Sequence, residues 1–145
     1  MLTAGPTDRW NTNDGKEDYI IAMNILVCVT HQKTCERMIS KTNELLQEYG
    51  GNLFILNVVK NEFNFLDSAR EAEALEYLFG ISKKLGANLS VLKSDDIPGT
   101  IAEYAEDNDI DCIVIGKSQD KNAGERFVKR LKFLLKNNVE IRILS

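Results

Sequence analysis

The sequence predicts an α/β domain: a single open five-stranded parallel sheet, order 3-2-1-4-5, with helices on both faces. From Asn24 onward, apolar runs of strand length alternate with segments whose apolar residues recur at three-and-four spacing, the signature of strands joined by helical crossovers. The runs around Ile25, Leu53 and Cys112 are almost continuously apolar, as strands buried on both faces are. The runs from Asn88 to Lys93 and from Val139 to Leu144 mix polar and apolar residues, as edge strands do. Right-handed crossovers then select the strand order.

The first strand runs from Asn24 to Thr30. The helix after it carries Cys35, Met38, Ile39, Thr42, Leu45, Leu46 and Tyr49 on one face, with Thr34 as N-cap and Gly50-Gly51 as its left-handed stop. Strand two runs from Leu53 to Val59. A polar linker from Lys60 to Asn64 leads to a second helix with Leu75, Leu78, Phe79, Ser82 and Leu85 inward and Gly86 at its end. Strand three runs from Asn88 to Lys93. Asp96 caps the third helix, Pro98 fits its first turn, and Ile101, Ala102 and Ala105 form its inner face. Strand four runs from Asp111 to Ile115. The fourth helix buries Phe127, Val128, Leu131, Leu134 and Leu135 and ends at Asn137-Asn138 before strand five.

A chain of 145 residues, 43% hydrophobic and 28% charged, suffices for one soluble domain with a full core and no covalent or metal staple. A net charge of −4 offers no basic footprint, so nucleic acid is not an expected partner. The 3 cysteines (Cys28, Cys35 and Cys112) have no CxxC spacing, which fits a reducing, cytoplasmic setting. With His31 the only histidine, no tetrahedral Cys/His metal site is expected. No run approaches the roughly 20 apolar residues that span a bilayer, and no signal peptide is evident.

Residues 1–22 differ from the rest of the chain: turn-forming residues flank Trp10 without periodicity. They read as a leader or N-terminal extension, with Met23 opening the folded domain that runs over residues 23–145. The competing reading is a docked arm that uses Trp10, Tyr19, Ile20 and Ile21.

In open α/β sheets ligands sit outside the carboxyl ends of the strands where the strand order reverses. That places attention on Val29-Thr30-His31-Gln32 after strand one and Gly116-Lys117-Ser118 after strand four. Gly116-Lys117-Ser118 imitates the tail of a phosphate-binding P-loop, but Asp111 stands where its first glycine belongs, which excludes that motif. Lys117, Lys121, Arg126, Lys129 and Arg130 gather positive charge at the start of the fourth helix, whose dipole also favours anions. The bland alternative is a solvated helix face. His31 has no nucleophile or carboxylate near it in sequence, Asp96 is accounted for as a cap, and the run Glu103, Glu106, Asp107, Asp109 and Asp111 reads as the solvated end of the third helix. A phosphoreceiver domain shares this architecture but needs a magnesium-binding acidic pair after strand one, where Thr30-His31-Gln32 stands. No catalytic residue and no metal are expected.

Taken in order, Ile25-Leu26-Val27-Cys28-Val29-Thr30, Glu36-Arg37-Met38-Ile39, Lys84-Leu85-Gly86-Ala87-Asn88, Ser94-Asp95-Asp96-Ile97, Ile101-Ala102-Glu103-Tyr104-Ala105 and Ile113-Val114-Ile115-Gly116-Lys117-Ser118 resemble the universal stress protein (UspA-like) family, within the adenine nucleotide α-hydrolase-like fold. Within it, the similarity points to the stress-protein-like domain of Kdp-type potassium sensor histidine kinases. The resemblance implies a non-enzymatic stress or signalling domain that senses a small anionic ligand or docks a partner. The alternative is a protein that binds or hydrolyses ATP. The candidate ligand set is Val29, Thr30, His31, Gln32, Val58, Gly116, Lys117, Ser118, Lys121, Lys129 and Arg130, with ATP or another adenine nucleotide as the implied cofactor. ATP-binding members carry Gly-x2-Gly-x9-Gly-Ser/Thr after strand four. Here Gly116 matches the first position, Gln119 replaces the second glycine, and Lys129-Arg130 replace the final pair. Thr30 stands where an aspartate is common after strand one. The resemblance also implies a homodimer through the fifth strand, from Val139 to Leu144, with Glu140 and Arg142 facing outward.

Overall fold

The computed structural model describes residues 23–29, 32–59, 68–136 and 138–144. Its elements run β1 (Met23–Val29), α1 (Gln32–Tyr49), β2 (Gly51–Val59), α2 (Ser68–Leu85), β3 (Asn88–Lys93), α3 (Ile97–Asp107), β4 (Cys112–Gly116), α4 (Lys121–Leu134) and β5 (Glu140–Leu144). All pairings are parallel and the order is β3-β2-β1-β4-β5, as the apolar patterning requires.

Period-two alternation sends successive residues of each central strand to opposite faces, so the sheet builds two cores. Met23, Ile25, Val27 and Val29 meet Met38, Ile39 and Leu46 of α1 and Leu78 of α2. Leu26, Cys28, Leu56, Ile113 and Ile115 meet Ile101, Ala102 and Ala105 of α3 and Leu131 of α4. Two hydroxyls lie inside these faces without penalty, because Thr42 donates to Met38 O (2.8 Å) and Ser82 to Leu78 O (2.7 Å). Gly50 (φ +79°) and Gly51 (φ +136°) turn α1 into β2, and a Cβ at Gly51 would strike the Met23 backbone it pairs with.

Several local expectations are corrected. Thr34 does not cap α1; the helix already begins at Gln32, since nothing in Gln32-Lys33 forbids helical backbone angles. In α2, Phe79 is 61% exposed and Leu75 borders the surface, because the helix is rotated to bring Tyr77, Leu78 and Ile81 onto the sheet. α4 ends at Leu134, short of Asn138, where extended Leu135 turns its side chain back onto the α3/α4 core. Asp111 is buried rather than solvated: its Oδ2 accepts the Asn24 amide at 2.9 Å and so ties the start of β1 to the entry of β4. Glu140 and Arg142 are half-buried and bonded to one another at 2.8 Å, since residues two apart share a strand face, while Ile143 is the exposed residue of that edge. Residues 1–22 with Trp10, Tyr19, Ile20 and Ile21, the linker from Lys60 to Asn64, and Asn137 lie outside the described residues, as do the side chains of Cys35 and Tyr49.

Candidate functional site

The site grows from the register of the two central strands. Ile25 and Val27 of β1 pair with Cys112 and Val114 of β4, so their carboxyl ends finish side by side. The order reverses there, because β1 leads to β2 on one side and β4 to β5 on the other. Lys117 continues the path of β4, its amide donating to Leu144 O at 2.8 Å, and this holds the loop over the sheet edge.

A cavity of about 1980 Å³ opens at these strand ends. Cys28, Leu56, Ile101, Ile115 and Phe127 give it an apolar floor. Of the residues singled out by sequence, it brings together Val29, Val58, Gly116, Lys117, Ser118, Lys121 and Lys129. Thr30 and His31 lie outside the described residues, as does the side chain of Gln32. Arg130 does not line the cavity. Its Nη2 donates to Asp96 Oδ2 at 3.0 Å, and that bond, followed by the Gly99 amide, holds the Asp96 carboxyl below the usual carboxylate range.

Two expectations about anion binding change. Two of the amides at the start of α4 are already taken, because Asp120 Oδ1 accepts from Asn122 N (3.0 Å) and Ala123 N (3.2 Å), capping the helix with the chain's own carboxylate. Gly116 has ordinary backbone angles, and a Cβ on it would lie 3.2 Å from Met38 Sδ. Its glycine therefore serves close packing of β4 on α1. Positive charge around the cavity comes instead from side chains: Lys117, Lys121, Arg126, Lys129 and Lys132 on the β4–α4 side, and Arg37 and Lys41 on α1.

Arg37, Lys41 and Lys132 are the lining cations that the sequence pattern did not assign to a site. Arg37 and Lys41 are spaced i,i+4, one helical face beginning just beyond the strand-one loop, and that spacing is the signal that would have found them. Burial pushes the Cys28 thiol up to about 12, so it stays protonated in the floor. Among the described residues no group of three or more His, Cys, Asp or Glu is placed to hold a metal ion, and no helix is long and apolar enough to cross a membrane.

No protein-family model matches this sequence, and no curated protein does. Solved structures do. Universal stress protein UspA from Lactobacillus plantarum superposes with a TM-score of 0.65 at 19% identity, over 88% of this chain and 100% of that one. The universal stress protein from Archaeoglobus fulgidus in complex with dAMP gives 0.60 at 21% identity, over 87% and 100%. A universal stress protein in complex with cAMP gives 0.60 at 14% identity, over 86% and 97%. With the strand order, the helix placement and these superpositions in agreement, the chain has the fold of the universal stress proteins.

Proposed function

We propose that this domain binds an adenine nucleotide at the carboxyl ends of β1 and β4 and acts as a non-enzymatic stress-signalling module of the cytoplasm. The observation that carries the reading is the convergence of Val29, Val58, Gly116, Lys117, Ser118, Lys121 and Lys129 on one cavity with an apolar floor and a cationic rim. A flat heteroaromatic base suits the floor, and phosphate suits the rim. The nucleotides in complex with two fold neighbours, dAMP and cAMP, favour the same ligand class by analogy.

Binding without turnover is favoured by the lining itself. Cys28 is held protonated by burial, Asp120 is committed to capping α4, and Glu125 is left as the one other carboxylate of the lining, with no histidine or metal-holding cluster among the described lining residues to work with it. The resemblance to sensor-kinase domains extends the proposal: the domain serves as the sensing part of a signalling protein and pairs with a second copy along the β5 edge.

Isothermal titration with AMP, ADP and ATP tests the reading. One nucleotide bound per chain, with a rise in melting temperature and no release of phosphate, is the expected result. No heat and no thermal shift with any of them overturns the nucleotide assignment. Steady phosphate release that Lys117→Ala abolishes overturns the non-enzymatic one. Sedimentation showing only monomer at high micromolar concentration overturns the dimer.

A further inference from the structure

We propose that the outward face of α4 docks on an anionic membrane surface, with Phe133 entering between the lipid headgroups and the surrounding lysines and arginines meeting their phosphates. Neither part depends on the nucleotide reading above.

Charge is concentrated on this helix. In a chain of net charge −4, residues 121–136 hold Lys121, Arg126, Lys129, Arg130, Lys132 and Lys136 against one carboxylate, Glu125, and all of these side chains are exposed. Glu125 stands one turn from both Lys121 and Lys129 and offsets part of their charge. Asp120, just before the helix, is bonded to its first-turn amides. Asp96 pairs with Arg130 and Glu106 with Lys136, but both pairs lie at the surface, where water and salt screen them. Among the described residues, Lys121, Arg126, Lys129 and Lys132 form no ion pair. A molecule divided between a cationic helix and an acidic remainder turns that helix toward an anionic surface.

An aromatic ring projects from the middle of that charge. α4 buries Leu131 completely, and Phe133, about 200° further round the helix, is 86% exposed. Lys129 and Arg130 lie one turn before it, and Lys136 follows three residues later. Such a face suits the headgroup boundary: the ring enters the apolar layer while the lysine and arginine stems extend and keep their charges among the phosphates. At 14 residues α4 is too short and too polar to span a bilayer, so it lies along the surface. An acidic protein could use the same charges, but it would need a groove to receive the ring. A bilayer receives it anywhere along a convex helix face.

The test is co-sedimentation of the full chain with vesicles of phosphatidylcholine alone and of phosphatidylcholine with about one-third phosphatidylglycerol, using the wild type, Arg126→Gln and Phe133→Ala. Both side chains are exposed, so the variants should fold, and circular dichroism checks this. The wild type should bind the anionic vesicles only and leave them in about 0.5 M salt. Arg126→Gln should weaken that binding about fivefold. Phe133→Ala should weaken it by about fivefold or more, because the ring's apolar area no longer leaves water. No sedimentation with either vesicle, or equal binding to both, overturns the inference. Vesicle binding that Phe133→Ala leaves intact overturns the entry of the ring. Poly-glutamate bound as tightly as the anionic vesicles, with Phe133→Ala indifferent to both, overturns the lipid assignment in favour of an acidic protein.

Discussion

Arg130 Nη2 lies 3.0 Å from Asp96 Oδ2, so a cation that chain order offers to a phosphate is spent instead on the N-cap of α3. The same carboxylate accepts the Gly99 amide, and one exposed side chain thereby joins α3 to α4. Arg130→Ala should leave nucleotide affinity within roughly twofold, whereas Lys129→Ala should weaken ATP severalfold. Titration of the two variants side by side checks this, and an equal loss in both would place Arg130 in the site.

The pH dependence of that bond has a definite sign. The Arg130 bond, and after it the Gly99 amide, hold the Asp96 carboxyl below its usual range. Its contribution to stability is therefore complete above the unfolded carboxylate range and fades as pH falls below about 4. Melting temperatures measured from pH 7 down to pH 3 should converge between the wild type and Asp96→Asn at the acid end. A constant gap across the range would contradict the assignment.

Asp111 and Asn24 clasp the opposite end of the sheet. Asp111 Oδ2 accepts Asn24 N (2.9 Å), Asp111 N donates to Asn24 O (2.8 Å), and the Asn24 side chain donates to Asp109 O (3.0 Å). Asp111→Ala leaves a part-buried amide without its acceptor and should cost about 1 kcal/mol in urea unfolding. Because the clasp is remote from the strand ends where nucleotide binding is proposed, nucleotide affinity should not follow the loss under conditions where the variant stays folded.

The two glycines after α1 should respond differently to alanine. Gly50 has a positive φ and open space around it, so Gly50→Ala should cost about 1 kcal/mol from backbone strain alone. Gly51 has a positive φ and the Met23 backbone where its Cβ would stand, so Gly51→Ala should cost about 3 kcal/mol or more. Equal losses in denaturant titrations would show that the β1–β2 register yields there.

Burial pushes the thiols of Cys28 and Cys112 up to about 12. In a Cys35→Ser background, neither should react with a disulfide reagent at pH 8 until the protein is denatured. Bound nucleotide should leave Cys112 unchanged, since that thiol is buried away from the cavity.

The sequence by itself determined the sheet. Strands such as Ile25-Leu26-Val27-Cys28-Val29 are apolar on both faces, and this alone makes β1, β2 and β4 central and leaves β3 and β5 at the edges. It also determined the caps and stops that depend on neighbours in the chain, such as Asp96 before α3 and Gly50-Gly51 after α1. Tertiary structure decided what each charge does. Asp111 and Glu103 look alike in a run of acids, yet one is buried against Asn24 and the other is in solvent. Lys129 and Arg130 are adjacent in sequence and diverge by the roughly 100° step of a helix, one toward the cavity and one toward Asp96. Periodicity reports which face of an element is apolar; it does not report which distant element faces its polar side, and that is where Arg37 and Lys41 of α1 were hidden.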